Sequence, residues 1–137
     1  MRLIILTTLC VLFLAGCGSV ASESIQGATP NPTVIARGIE VYRQNYCGVC
    51  HTLDAASTRG TFGPSHNQMG IVAQQRIASA SYGGAATTPE DYLRESILQP
   101  ERSIVENYVT TAHAIPAYTH LAAADVEALV AMLLHQR

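Results

Sequence analysis

Cys47-Gly48-Val49-Cys50-His51 is the stretch around which the chain must be read. Two thiols three positions apart lie one turn apart on a helix, and a histidine follows the second thiol directly. C-x-x-C-H in that order is the pattern of c-type haem attachment. Each thiol can form a thioether to one vinyl group of a porphyrin, and the imidazole then lies beneath the ring within reach of iron. The same five residues admit a dithiol redox pair or half of a zinc site. A dithiol enzyme wants a βαβ setting, which the surrounding sequence lacks. A zinc site wants a second pair of ligands, yet no cysteine follows Cys50 and no H-x3–5-H pair exists. The expected cofactor is one covalent haem c, held by Cys47, Cys50 and His51.

Upstream, Arg2 precedes a nearly unbroken apolar run of 13 residues, Leu3 to Ala15. A membrane-spanning helix needs roughly 20 apolar residues, so this run has the length of a signal-peptide core. It ends in Leu14-Ala15-Gly16-Cys17, which resembles a bacterial lipobox. That resemblance implies removal of residues 1–16 and lipidation of Cys17, with Cys10 lost in the removed segment. The cysteines are then all assigned: Cys17 to lipid, Cys47 and Cys50 to haem, none to a disulfide. An acylated Cys17 anchors the chain to the extracytoplasmic face of a bacterial membrane, on the periplasmic side, where c-type haem is attached. Gly18 to Thr33 is poor in large apolar residues and carries Pro30 and Pro32. It reads as a tether, because such a stretch cannot bury enough surface to offset its ordering entropy. The 16 residues of this tether reach roughly 20 Å as a flexible chain.

Residues 34–137 form the expected domain, enough for one small core and no more. The mature chain has seven arginines against ten acids and no lysine, a net charge near −3. Such a surface offers no basic face to nucleic acid and no lysine-rich rim for long-range steering. The fold class is all-α, with three to four short helices. Val34, Ile35, Ile39, Tyr42 and Tyr46 recur at helical spacing and predict a first helix over 34–46, with Thr33 as its N-cap. Gly38 on that face invites a close crossing with another helix. A short helix is expected over 71–80. Thr88-Pro89-Glu90-Asp91 begins another, with a capping threonine, proline at the first position and acids in the first turn, and Gln99-Pro100 ends it. The last spans 125–135, with Val126, Leu129, Val130, Leu133 and Leu134 as an apolar stripe and Met132 in the core. Residues 52–70, 82–87 and 101–120 read as loops, and no strand is expected.

In order along the chain stand Gly38 and Tyr42, CGVCH, Gly63-Pro64, Ile97-Leu98-Gln99-Pro100, Ile115-Pro116-Ala117-Tyr118 and the closing apolar helix. Over residues 33–137 this resembles a class I mono-haem cytochrome c. The resemblance implies that the first and last helices cross at Gly38 and that the Pro64 carbonyl accepts from the second nitrogen of His51. It offers Arg76 as partner of a haem propionate; a solvated surface role is the alternative. The chain departs from the family at the sixth iron ligand, because Ile115 occupies the position where methionine usually precedes proline. His113 is the first candidate in its place and Met69 the alternative, with an open position as the third case. His66 and His120 read as ordinary loop residues, and His135 as a solvated one. The expected function is a membrane-anchored electron carrier that transforms no substrate of its own. Its partners would be redox proteins, foremost the larger subunits of a respiratory or photosynthetic complex. The alternative is a haem-based sensor or peroxidase-like enzyme with an open iron position.

Overall fold

The computed structural model describes residues 31–108 and 115–137. The chain is mostly helical there, in agreement with the all-α expectation. Helix α1 runs Pro32–Gln44 and α2 is the single turn Cys47–Cys50. Helix α3 spans Met69–Ile77, α4 Pro89–Leu98 and α5 Ala123–Leu134. Single 3-10 turns lie at Asp54–Ala56, Pro100–Arg102 and Glu106–Tyr108.

Helix α1 starts earlier than its apolar period suggests. Asn31, not Thr33, is its cap: the Asn31 carboxamide oxygen accepts from the Thr33 N–H at 2.9 Å, and Pro32 takes the first helical position. An N-cap of this kind is worth about 1 kcal/mol. Asn31→Ala is therefore expected to lower stability by about that amount, read as a shifted urea midpoint at unchanged slope. The helix also stops earlier, because Tyr46 adopts a left-handed conformation at φ 56°. Tyr46 and Val34 are exposed, and the buried face is carried by Gly38, Val41 and Tyr42.

Among the described elements, helices α1 and α5 make the most extensive packing. They cross at Gly38, where an added Cβ would meet the Ala128 carbonyl and Met132 Cβ. Helix α5 is buried on more than one side: Val126, Ala128, Leu129, Val130, Met132 and Leu133 all lie in the core. It is covered by α1, by α4 and by α3. Arg37 holds Asp125 at 2.8 Å across the first of these contacts, and Arg94 grips Glu127 with two 2.9 Å bonds across the second.

Two further departures concern a short ladder and the start of α3. Thr52–Leu53 (β1) and Thr58–Arg59 (β2) pair antiparallel, Thr52 opposite Arg59. A two-residue ladder is too short to leave an alternating pattern in the sequence. Helix α3 begins at Met69 and so includes Gly70, a residue that reads as a breaker. Gly70 is required there because its amide donates to the Gln136 carbonyl at 3.0 Å and a Cβ would strike the Leu134 carbonyl. Helix α4 has the expected start, with the Thr88 hydroxyl accepting from the Asp91 N–H and Pro89 in the first turn. Among the described residues no helix is long and apolar enough to cross a membrane.

Candidate functional site

The C-x-x-C-H stretch is held rigidly by its own neighbourhood. Left-handed Tyr46 turns the chain out of α1 and into α2, which carries Cys47 and Cys50 one turn apart. Both thiols are free and half-buried. Burial pushes the Cys47 thiol above its ordinary pKa, and the neighbouring Tyr118 hydroxyl partly opposes the shift. Gly60 presses against the backbone of residues 49–51, leaving no room for a side chain. Thr58 from β2 donates to the His51 carbonyl at 2.9 Å, and the Gly63 amide donates to the Cys50 carbonyl at the same distance. The segment 46–63 thus closes back onto the motif.

His51 is oriented by three contacts. Its Nδ1 lies 2.7 Å from the Pro64 carbonyl. A carbonyl can only accept, so Nδ1 carries the proton and Nε2 keeps its lone pair. A hydrogen bond of this kind fixes the tautomer of a metal-ligating histidine and raises its basicity. Gly63 closes against the imidazole so tightly that a Cβ there would strike the ring. The third contact is His66, whose ring stacks on His51 with centroids 3.8 Å apart and planes 14° from parallel. Burial pushes both imidazoles below the ordinary histidine range. The Pro64 bond partly opposes this for His51, whereas His51 and Arg76 add to it for His66. Both rings are neutral at pH 7.

His66 is therefore no ordinary loop residue, a correction to the sequence reading. Its Nδ1 shares a 3.2 Å hydrogen bond with the hydroxyl of Tyr42, a core residue of α1 only 1% exposed. The available signal was its place two residues after Pro64, which in an extended run puts both on one side of the chain. His120 does lie at the surface, with Nε2 3.3 Å from the Asn45 side chain.

His51 and His66 open into a cleft that holds about 150 Å³ of water-accessible space. Helix α3 contributes Met69 and Arg76 to its wall, residues seven apart and hence on one face. Helix α4 contributes Tyr92, Leu93 and Ile97, and α5 contributes Leu129 and Leu133. Ser103, Ile104, Val105, Tyr108, Ile115 and Pro116 also border it. The wall is overwhelmingly apolar, so a flat hydrophobic ligand is the kind of group it suits.

The residues singled out from the sequence fall in two sets. Cys47, His51, Pro64, Met69 and Arg76 all border this cleft, and Cys50 lies on the same turn as Cys47. Arg76 is half-buried rather than freely solvated: it lies over the Tyr92 ring and donates to the Tyr92 hydroxyl at 2.9 Å. Met69 is only 2% exposed. Cys17 and His113 lie outside the described residues, so their expected roles rest on sequence alone. Chemically, the arrangement offers two thiols on one helical turn, an imidazole nitrogen with a free lone pair, and an apolar slot beside them. Compared with family models, curated proteins and solved structures, the chain matches none of them.

Proposed function

We propose that this chain is a mono-haem c-type cytochrome of the class I fold, tethered to a membrane through Cys17, and that it carries electrons. The observation that supports this most is the pairing of C-x-x-C-H with the Pro64 bond. His51 keeps Nε2 unprotonated next to a large apolar cleft, while Cys47 and Cys50 sit on the adjoining turn. A covalent porphyrin needs those three groups in that order, and the cleft beside them is lined mainly by apolar side chains.

Cys47 and Cys50 would hold the haem through thioethers and His51 would bind its iron. Pro64 and Gly63 hold His51 in place. The aromatic and aliphatic side chains of α4 and α5 keep water from the cleft. Arg76 supplies a cation at its wall, positioned by Tyr92, suited to a carboxylate such as a propionate. The haem would supply one reversible electron, taken from a reduced partner protein and passed to an oxidised one, with no net change to the chain. The near-neutral, lysine-free surface and the short tether favour partners fixed in the same membrane, such as larger subunits of an electron-transfer complex.

One observation favours a second reading. Ile115 and Pro116 border the cleft, and Ile115, in the place where the family the chain resembles usually carries methionine, has no donor atom. An open sixth position would make the chain a haem-based sensor or a peroxidase-like enzyme.

The test is the spectrum of the protein matured in a host able to attach haem c. The expected result is haem that stays with the chain after denaturation, low-spin in both oxidation states and unresponsive to carbon monoxide. A sulfur-to-iron band at the red end would assign Met69; its absence, with loss of the low-spin state in His113→Ala, would assign His113. High-spin iron that binds carbon monoxide would put the sensor or enzyme first. A colourless chain would overturn the proposal.

A further inference from the structure

We infer that His66 is a positioning residue that fixes the plane of the His51 imidazole, acting as a relay between that ring and the core of α1. The spectroscopic form of this inference rests on the haem reading above.

The Pro64 hydrogen bond determines where Nδ1 of His51 points, but a single bond leaves the ring free to roll about it. Gly63 limits that roll at the Nδ1–Cε1–Nε2 edge. A stacked ring limits it over a whole face. At 3.8 Å and 14°, the His66 ring is in full van der Waals contact, and a roll of His51 would drive atoms of the two rings together.

His66 can act this way only because it is itself held. Its Nδ1 is tied to the Tyr42 hydroxyl, and the two rings also meet edge-on with centroids 5.8 Å apart. The His66 amide donates to the Thr52 carbonyl at 2.8 Å, fixing its backbone to the residue after His51. Tyr42 is anchored in the helix that crosses α5 at Gly38. Ring orientation at His51 is thus set from the helical core through Tyr42 and His66, independently of Pro64. An aliphatic residue at position 66 could fill the same space, but it presents no plane and takes no hydrogen bond from Tyr42. The sequence therefore spends a polar ring in an apolar wall, which space-filling alone does not call for.

Three variants separate positioning from filling. His66→Leu keeps the bulk and loses the ring, His66→Phe keeps the ring and loses the hydrogen bond, and Tyr42→Phe leaves His66 in place without its anchor. The readouts are the electron paramagnetic resonance spectrum of the ferric holoprotein, which reports the orientation of the axial imidazole, and the midpoint potential. The expected result is a second or broadened ferric species and a shifted potential in His66→Leu. His66→Phe and Tyr42→Phe, which each keep a ring at position 66 without the hydrogen bond, should both fall between the wild type and His66→Leu. If His66→Leu gives the wild-type spectrum and potential, or if Phe is as disturbed as Leu, the inference is overturned.

Should the wild-type chain carry no haem, the functional proposal fails while the ring pair remains measurable. Nitrogen-15 histidine resonances of His51 are then read in the same variants. A ring-current displacement kept in Phe and lost in Leu supports positioning, and its absence from the wild type refutes it.

Discussion

Replacing Cys47 and Cys50 together by alanine is expected to abolish retention of haem by the denatured chain. Haem-stained denaturing gels would show no band, and the absorption of the matured protein would fall to that of the polypeptide. Each single replacement leaves one thioether partner and should retain a reduced amount of haem with a displaced visible band. The reasoning is local and does not depend on the rest of the fold. Both thiols are free on the one turn of α2, and denaturation removes every non-covalent contact in the cleft. Stability should suffer as well. A variant unable to retain haem would leave the apolar side chains of α3, α4 and α5 that border the cleft uncovered, and a domain of this size has little apolar surface to spare. Thermal melts of the double variant should therefore begin at lower temperature and be broader. Unchanged haem retention in the double variant would exclude thioether attachment altogether.

The second large effect is expected at the opposite side of the core. Gly38→Ala places a Cβ against the Ala128 carbonyl and Met132 Cβ. Neither can rotate away, because one is backbone and the other the first atom of a side chain. Relief requires α1 and α5 to move apart, and that contact is the largest among the described elements. Overpacking of this kind costs about 1–3 kcal/mol and occasionally more. In a domain of this length each kcal/mol lowers Tm by about 4–8 °C. Gly83→Ala is the control, since a Cβ there approaches only the Arg102 carbonyl, at 3.2 Å. The expected order is a large loss at position 38 and a small one at position 83. Equal losses would mean that the helices are not locked at Gly38.

What could be read from the sequence and what could not divide along a physical line. The start of α4 was legible because everything that specifies it, Thr88 and Pro89 above all, lies within one turn. That Cys47 and Cys50 lie on one turn was legible for the same reason. The partner of Gly38 and the Pro64 bond were reached through a resemblance, since nothing local requires a neighbour 90 residues away at Ala128 or 13 residues away at Pro64. The misses needed information from elsewhere in the chain. Gly70 is helical because the carboxyl end of α5 lies against it. Asn31 outcompetes Thr33 because Pro32 takes the first helical position, and the apolar period of α1 carries no record of that. His66 is distinguished from a loop histidine by Tyr42 and His51, which stand 24 and 15 positions earlier in the chain. The sixth ligand was left open by the sequence, and His113, its first candidate, falls outside the described residues.

The closed segment around the motif has a kinetic consequence. Its fastening contacts span short loops: Thr52 to Arg59, Cys50 to Gly63, His51 to Pro64, Arg43 to Ala56. The contacts that seat the last helix span long ones, 88 residues from Arg37 to Asp125. Closing a loop of 88 rather than 13 residues costs about 1.7 kcal/mol more in chain entropy, from its logarithmic dependence on length. The turn bearing both thiols can therefore take shape while the carboxyl-terminal helix is still undocked. Until α5 docks, the cleft lacks the wall that Leu129 and Leu133 supply.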